Sequence, residues 1–453
     1  MKVADFLKEE IELESFYEKL FKRLKILDKK LNLFVDLAKD VRSERTGKLK
    51  GLPVSAKDCI CVKGLQSSAG SKILNGWIPP FDATVVSRIK QENGVIIGKT
   101  HQDEFGFGTF CVNSGYGVPK NPWDPERCCG GSSGGAAALT AALDLPHLAL
   151  AQSTGGSISC PASWCGVFGL TPTYGLVSRW GLIDYANSLD KIGVMAREPE
   201  GLEILLKIIA GRDDLDPTTA LSHLEPAGKL KRIAVPKEYL EAAEEPVRKA
   251  VRDFCQKLES EGIELQEISL KLVKYHLPAY YLIACSEAST NLAKYCGMRY
   301  GAEEDISGDF NEYFSEVRSK YFGEEAKRRI ILGTFARLAG YRDRYYLKAL
   351  QVRAEIIKEY KTVFKHFDLI LSPTMPCLPP RFSELSALSP LQQYQMDILT
   401  VGPNLAGLPH LTMPIGLLKG LPVGIQLTAE HWKELGLIEF AKRFQVELKY
   451  PEV

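Results

Sequence analysis

The chain has little net charge and no long uninterrupted apolar run. Its 453 residues include 57 lysines and arginines against 56 aspartates and glutamates, a formal net charge of +1. A net charge this close to zero predicts no strong electrostatic attraction to nucleic acid or anionic lipid. The longest apolar stretch, residues 136–151, is interrupted by Asp144, Pro146 and His147, so we expect no membrane-spanning helix.

Targeting signals and metal-binding cysteine pairs are also missing. The N-terminal stretch MKVADFLKEEIELESF alternates acidic with apolar side chains and lacks a basic head followed by an apolar core, so we expect no signal peptide. The eleven cysteines contain no CxxC pair, and we therefore predict no metal site. An odd, scattered set of cysteines is typical of a reducing compartment, which predicts a cytoplasmic protein with free thiols.

Histidine is scarce, and the usual nucleotide-binding motifs are absent. Neither GxxxxGK[ST] nor GxGxxG occurs, so nucleotide binding by a glycine loop has little support. None of the histidines lies in a context that marks it as a catalytic base, although spacing alone leaves a histidine triad open. The seven are His101, His147, His223, His276, His366, His410 and His431.

What is present is an alternation of short apolar runs with helical patterns. Runs such as LPVSAK, GVIIGKT and LALAQST alternate with patterns such as ATVVSRIKQEN, which predicts an α/β core with a parallel or mixed sheet. Residues 1–45 predict an N-terminal helical segment, and residues 275–362 predict a helical insertion before the strand pattern returns. Because no Pro/Gly/Ser-rich linker divides the chain, we expect a single domain over residues 1–453.

Two glycine–serine loops and one lysine suggest chemistry. The first loop, CCGGSSGGAAALTAAL, places Ser132 or Ser133 at the start of a helix, where main-chain N–H groups are free. The second, STGGSISCPASWCG, sets Ser157 directly after two glycines. Each loop alone is more typical of a helix cap or an anion-binding turn than of a nucleophile.

A serine nucleophile needs a base, and Lys57 is a candidate. Lys57 ends the apolar run GLPVSAK, so its amine could lie at the end of a buried strand. Burial in a poorly hydrated site disfavours the charged form and allows a lysine to accept a proton. The competing interpretation is a solvated surface charge after a strand.

In this order, GLPVSAKD, GGSSGGAAA and TGGSISCPASWCGVFGLTPTYG resemble the motifs of the amidase signature family. The similarity runs from ATVVSRIKQENGVIIGKT to NLAGLPHLTMPIG and implies a single α/β domain built on a large mixed β-sheet surrounded by helices. It also implies a Ser–cis-Ser–Lys triad, in which Ser157 is the nucleophile, Ser132 relays the proton after a cis peptide bond, and Lys57 is the base. The implied oxyanion hole consists of the N–H groups of Thr154, Gly155, Gly156 and Ser157.

The chain departs from the family pattern near these motifs. Ser153 and Ser159 stand where the family usually has an aspartate and an arginine. If those two form an ion pair elsewhere in the family, losing both leaves no orphan charge. One extra residue between the serine loops leaves either Ser132 or Ser133 as the relay, and the register of GGSSGG favours Ser132.

Three further stretches carry a narrower resemblance: YYLIACSEASTNLAKYCGMRYG, KRRIILGTFARLAGYRDRYYLKALQVR and YQMDILTVGPNLAGLP. They resemble the glutaminase subunits of tRNA-dependent amidotransferases. The resemblance places Tyr280, Arg329 and Asp397 around free glutamine. An arginine fork suits the α-carboxylate and a carboxylate suits the α-ammonium, whereas the competing interpretation of Arg329 is a solvated charge in AKRRI.

This resemblance implies a partner-dependent function. Ammonia from glutamine would pass to a tRNA-binding kinase partner, the B subunit, which uses ATP and Mg²⁺ to amidate Glu-tRNA(Gln), Asp-tRNA(Asn) or both. A small C subunit would complete a heterotrimer. No cofactor is expected in this chain, and tRNA is expected to be bound only through the complex. Two alternatives remain, a stand-alone amidase of the same family acting on small amides and a non-catalytic scaffold or anion-binding protein.

Overall fold

The computed structural model describes residues 1–39, 41–219, 224–226, 228, 230–306 and 308–453. Its strands are β1 (Phe34–Leu37), β2 (Pro53–Lys57), β3 (Val95–Thr100), β4 (Lys120–Asn121), β5 (Asp124–Cys128), β6 (Leu148–Ser153), β7 (Phe168–Thr171), β8 (Lys191–Ala196), β9 (Arg232–Pro236), β10 (Glu264–Ile268), β11 (Leu369–Pro373), β12 (His410–Leu418) and β13 (Leu421–Ala429). Its α-helices are α1 (Val3–Lys8), α2 (Leu13–Leu31), α3 (Thr84–Gln91), α4 (Gly134–Ala142), α5 (Ser159–Cys165), α6 (Pro199–Ile209), α7 (Lys237–Glu241), α8 (Glu245–Ser260), α9 (His276–Asn291), α10 (Phe310–Tyr321), α11 (Glu324–Arg337), α12 (Lys348–Val363), α13 (Phe382–Leu385), α14 (Pro390–Gln395), α15 (Val401–Leu405) and α16 (Glu434–Phe444). Within the described residues, no helix is both long enough and apolar enough to cross a membrane.

Eleven of these strands form one mixed sheet. Their order is β1-β3-β2-β6-β8-β7-β12-β13-β11-β9-β10. Strand β2 runs parallel to β3 and β6, and β9 runs parallel to β10 and β11, whereas the other neighbours are antiparallel. Strands β2, β6 and β8 are buried along their whole length, as expected where helices cover both faces of a sheet. The predicted α/β fold with a large mixed sheet surrounded by helices is confirmed.

Strand β8 shows how the helices cover the two faces. Its Gly193 faces Ile158, which caps the start of α5, whereas Ala196 lies against Gly201 of α6. Side chains an odd number of residues apart on a strand point to opposite faces of the sheet. Helices α5 and α6 therefore lie on opposite faces, and α16 packs against α6.

The helical prediction for residues 1–45 is wrong beyond α2. Asn32 takes a left-handed conformation with φ of 55° and ends that helix. Asp28 Oδ1 then accepts hydrogen bonds from the N–H groups of Leu33 and Phe34, at 2.7 and 2.9 Å. This local cap turns the chain into β1, which pairs antiparallel with β3.

The segment 275–362 forms α9 to α12, and α9 packs against α11, α12 and α15. Tyr280 lies on α9 and Arg329 on α11. The two residues are 49 positions apart in the numbering, and the packing of these two helices brings them to the same region of the molecule.

The parallel pairing of β2 and β6 brings together the motifs that suggested chemistry in the sequence. Because parallel strands end at the same edge of a sheet, Lys57 at the end of β2 lies near the loop that follows β6. That loop, residues 154–158, leads into α5, and the GGSSGG loop leads into α4. A lysine and two serine loops therefore meet at one edge of the sheet.

Candidate active site

Lys57 is fully buried, and its amine contacts a serine hydroxyl. Its Nζ lies 2.7 Å from Ser132 Oγ and 3.0 Å from both the main-chain oxygen and Oε1 of Gln152. Burial lowers the pKa of the Lys57 ammonium from its usual value, and nearby acidic groups, including Asp103 and Asp190, oppose that shift only in part. The interpretation of Lys57 as a solvated surface charge is therefore wrong, and burial shifts its amine towards the neutral form, which accepts protons.

The two serines of the GGSSGG loop have different partners. The Gly131–Ser132 peptide bond is cis, and Ser132 Oγ contacts Lys57. Ser133 occupies the N-cap position of α4, and its Oγ donates to the main-chain oxygen of Gln152 at 3.0 Å. Direct contact with the amine favours Ser132 over Ser133 as the relay.

Ser157 lies in the second serine loop and is slightly more exposed than Lys57 and Ser132. Its exposure is 7%, whereas Lys57 and Ser132 are at 0%. The Ser157 carbonyl accepts a hydrogen bond from Ser133 N–H at 3.2 Å, which joins the two serine loops. Among the described residues, no hydrogen bond connects the Ser157 and Ser132 hydroxyls, and such catalytic bonds often tighten only when substrate binds. The structure thus joins Lys57 to Ser132 directly, and it joins the Ser157 loop to the Ser132 loop through a main-chain hydrogen bond.

The loop that ends at Ser157 presents free main-chain donors. Within the described part of the chain, the N–H groups of residues 154–157 donate to no acceptor. A side chain at Gly155 would collide with the ring of Tyr280, and one at Gly156 would collide with Thr400. Only glycine permits this close approach. The free donors are suited to receive a negatively charged oxygen.

Arg329 is buried among aromatic rings, with 4% of its surface exposed. Its guanidinium carbon lies 5.1 to 5.8 Å from the centroids of four rings, those of Phe107, Tyr185, Tyr281 and Tyr394. Its Nε donates to Glu325 Oε1 at 2.8 Å, and Nη1 donates to the Tyr185 hydroxyl at 2.7 Å. The interpretation of Arg329 as a solvated charge is therefore wrong. Its Nη2 has no hydrogen-bond partner among the described residues.

Asp397 and Arg329 contact the same tyrosine, Tyr281. Tyr281 donates its hydroxyl to Asp397 Oδ2 at 2.6 Å, and the face of the same ring lies against Arg329. Thr109 Oγ1 donates to Asp397 Oδ1 at 2.9 Å. Burial raises the pKa of the Asp397 carboxyl, while these two donors favour its ionised form. Since Tyr280 packs edge-on against Tyr281, all three predicted substrate residues lie around one aromatic cluster.

Two polar side chains behind the triad were not predicted from the sequence. Gln152 Nε2 donates to Thr154 Oγ1 at 2.7 Å and to Asp190 Oδ1 at 3.1 Å. Thr154 Oγ1 donates to the same Asp190 oxygen at 2.7 Å, and burial raises the pKa of Asp190 to about 7. The sequence did contain a sign of Gln152, because this polar residue directly follows the apolar run LALA and comes just before the glycine loop. No local signal marked Asp190, because antiparallel pairing of β6 and β8 brings it there.

The two departures from the family pattern lie near a buried lysine. Ser153 pairs with Lys191 across β6 and β8. Within the described residues, Ser153 Oγ, Ser159 Oγ and Lys191 Nζ are all buried without a hydrogen-bond partner. Burial lowers the pKa of Lys191 to about 7. Because serines replace both family residues, neither a carboxylate nor a guanidinium is left without its ion-pair partner here. The Lys191 amine, however, lies opposite Ser153 and has no hydrogen-bond partner among the described residues.

Histidine takes no part in this arrangement in the described residues. No hydrogen bond joins a histidine ring to Ser132, Ser133 or Ser157 there, and His147 pairs with Ser55 instead. His223 lies outside the described residues. What the site offers is a buried amine, two hydroxyls and a set of free N–H donors, which are the parts needed for acyl transfer through a serine.

Comparisons with known proteins agree with this chemistry. The family described as Amidase matches residues 18–438. The chain is 45% identical to the A subunit of the glutamyl-tRNA(Gln) amidotransferase of Archaeoglobus fulgidus, covering 98% of each chain. It is 44% identical to that of Saccharolobus solfataricus, covering 97% of this chain and 94% of the other. The crystal structure of the corresponding protein from Thermotoga maritima superposes with a TM-score of 0.82 at 35% identity, covering 97% of this chain and 92% of that one.

Proposed function

The chain belongs to the amidase family, and we propose that it is the glutaminase subunit of a tRNA-dependent amidotransferase. The observation that carries this proposal is the 2.7 Å contact between the buried Lys57 amine and the Ser132 hydroxyl, beside the loop of Ser157. A buried amine in contact with a hydroxyl supplies the base that a serine amidohydrolase requires. Similarity to the A subunits of two amidotransferases over nearly the whole chain supports glutamine as the amide substrate.

In the proposed reaction, Ser157 Oγ attacks the side-chain amide carbon of glutamine. Its proton passes to Ser132 while the Ser132 proton passes to Lys57 Nζ, and the N–H groups of residues 154–157 receive the oxyanion. The proton then returns through Ser132 to the leaving nitrogen, so ammonia departs and a glutamyl ester of Ser157 remains. Water attacks that ester by the same route and releases glutamate.

Three residues are proposed to hold the free amino acid. Arg329 would bind the α-carboxylate through its unpartnered Nη2, and Asp397 would bind the α-ammonium. Tyr280 would form the wall of the pocket over Gly155, against which it already packs. Arg329 is buried and Asp397 is partly buried, and each keeps hydrogen-bonding capacity that its protein partners do not use, which supports binding of a charged ligand.

The ammonia is proposed to be used by partner subunits in the cytoplasm. A tRNA-binding kinase partner, the B subunit, would activate misacylated Glu-tRNA(Gln) or Asp-tRNA(Asn) with ATP and Mg²⁺, and a small C subunit would complete the heterotrimer. We propose no cofactor for this chain. Its net charge of +1 is consistent with leaving the tRNA to the partner.

Glutaminase activity measured with and without the partners tests this function. We expect slow glutamine hydrolysis by the purified chain and a marked increase when the B and C subunits, misacylated tRNA and ATP are added. A stand-alone amidase would instead hydrolyse simple amides at its full rate alone and gain nothing from the partners. A non-catalytic scaffold would hydrolyse neither substrate under either condition.

A further inference from the structure

Among the described residues, Gln152 supplies two of the three oxygen atoms that hydrogen-bond to the Lys57 amine. Its main-chain oxygen and its Oε1 each lie 3.0 Å from Lys57 Nζ, and the third neighbour is Ser132 Oγ at 2.7 Å. Gln152 lies near the end of β6, and its side chain is 3% exposed. In the part of the chain that the structure describes, Gln152 therefore hydrogen-bonds to the proposed base and makes no hydrogen bond to the nucleophile.

The numbers of hydrogen-bond donors and acceptors on a neutral amine determine the direction of each of these three contacts. A neutral lysine amine has two N–H groups to donate and one lone pair to accept with. A carbonyl oxygen accepts hydrogen bonds and cannot donate them, whereas a serine hydroxyl does both. When both N–H groups point to the oxygens of Gln152, the lone pair is left facing Ser132 Oγ, which is the direction from which the proton must come.

The amide of Gln152 is itself held in one orientation. Its Nε2 donates to Asp190 Oδ1 at 3.1 Å and to Thr154 Oγ1 at 2.7 Å. Asp190 Oδ2 accepts from the N–H groups of Tyr185 and Ala186 at 2.8 and 2.9 Å. Because Thr154 Oγ1 donates its own hydrogen to Asp190 Oδ1 at 2.7 Å, it can only accept from Gln152. The NH₂ end of the amide therefore faces Thr154 and Asp190, and the oxygen end faces Lys57.

We propose that Gln152 is a positioning residue that, anchored by Asp190, aims the lone pair of Lys57 at Ser132. This inference rests on the proposed function, because it assigns the role of Gln152 in that same proton transfer. The competing interpretation is a buried amide that only satisfies its neighbours. The two differ in what happens to catalysis when the oxygen at this position is removed or given a charge.

Two variants separate these interpretations. Gln152→Met keeps the length of the side chain but removes the side-chain acceptor, so one N–H of Lys57 loses its partner and the lone pair is no longer fixed. We expect kcat to fall about 10- to 100-fold with the KM for glutamine within about threefold, because general base catalysis of this kind contributes on that order. The fold is checked by thermal unfolding.

Gln152→Glu retains an oxygen but places a carboxylate beside the amine. A carboxylate favours the charged ammonium, so the acid limb of the pH profile of kcat/KM should move to higher pH by about one unit. Of the other titratable groups that face Lys57, Asp103, Cys59 and Cys111 are the same in every variant. Asp190 loses its Nε2 donor in both Gln152 variants, so this change is common to the two. Activity lost at neutral pH should therefore return in Gln152→Glu at higher pH, but not in Gln152→Met.

Gln426→Met is the matched control. Gln426 is another buried glutamine, on β13, and its Nε2 donates to the main-chain oxygen of Leu399 at 3.0 Å rather than contacting Lys57. We expect its kcat to stay within about twofold of the wild type and its pH profile to be unchanged. A loss in the control equal to that in Gln152→Met would assign both losses to packing and would overturn the proposal.

The experiment distinguishes failure of this inference from failure of the proposed function. If the wild type, assayed with its partners, hydrolyses glutamine but folded Gln152→Met and Gln152→Glu retain its kcat and pH profile, the inference is rejected and the function stands. If the wild type lacks glutaminase activity, the function is rejected. The same variants are then compared on a simple amide, where an unchanged profile would reject the inference as well.

Discussion

Replacing Lys191 with methionine should stabilise the protein, by an amount that shrinks as the pH rises. Lys191 lies on β8 with 3% exposure, and its Nζ has no hydrogen-bond partner among the described residues. Burial lowers its pKa from 10.5 to about 7, a shift assisted by Arg353 and opposed by Asp190. Methionine has a similar length and no charge to desolvate, so the variant removes the penalty while filling the space.

The sign and size of this pH dependence follow from the number of protons that Lys191 binds in the folded and in the unfolded chain. Between pH 7 and 10.5 the unfolded chain carries a protonated Lys191 and the folded chain a neutral one, so raising the pH stabilises the wild type. That slope reaches about 1.4 kcal/mol per pH unit for one group and is absent in Lys191→Met. The stability advantage of the variant should therefore fall by about 2 kcal/mol between pH 7.5 and 9.5.

Urea unfolding of wild type and Lys191→Met at these two pH values measures the difference. Titrating groups that do not interact with Lys191 contribute equally to the two proteins and cancel in the comparison. Lys257→Met, an exposed substitution on α8, is the control. Its free energy of unfolding should differ from that of the wild type by the same amount at both pH values. A variant that is less stable than the wild type at pH 7.5, or a gap that stays constant, would refute the reasoning that Lys191 is buried and neutral.

Further predictions concern the site. Lys57→Met should lower glutaminase kcat at least about 10³-fold without lowering the thermal unfolding temperature, and retention of activity would exclude Lys57 as the base. In the wild type, kcat/KM should rise with pH through the acid limb set by Lys57, whose pKa burial lowers, so a limb at the usual amine value near 10.5 would contradict a neutral amine. Steady-state kinetics should show a loss of about 10²-fold or more for Ser132→Ala but at most about 10-fold for Ser133→Ala, and the reverse order would exchange their roles. Arg329→Met and Asp397→Asn should each raise the KM for glutamine at least about 10-fold, and an unchanged KM would remove them from the amino-acid pocket.

The sequence identified the parts of the site that lie in short, unusual segments. Lys57 ends an apolar run and Ser157 follows two glycines, and both features are visible because neighbouring residues create them. The apolar runs LPVSAK, GVIIGKT and LALAQST, from which the sheet was predicted, contain β2, β3 and β6. The sequence did not predict β1, since the helical pattern of α2 runs into it and the cap made by Asp28 is a side-chain contact rather than a periodicity.

Long-range contacts explain what the sequence could not show. Asp190 meets Gln152 only because β8 pairs antiparallel with β6, and Tyr185 meets Arg329 only through the tertiary packing of α11. In the sequence Arg329 is the last of three consecutive basic residues, and nothing local distinguishes a buried guanidinium from a solvated one. The aromatic rings around it come from residues more than 40 positions away, such as Tyr281 and Phe107.

Covalent labelling tests most directly whether a lysine-activated serine performs the chemistry. All eleven cysteines are free thiols, so an electrophile has alternatives to serine. Incubation with a glutamine-derived electrophile, followed by peptide mass spectrometry, should give one adduct, on Ser157, which is absent in Ser157→Ala and forms at least about 10²-fold more slowly in Lys57→Met. An adduct on a cysteine, or labelling of Ser157 at an unchanged rate in Lys57→Met, would contradict the account.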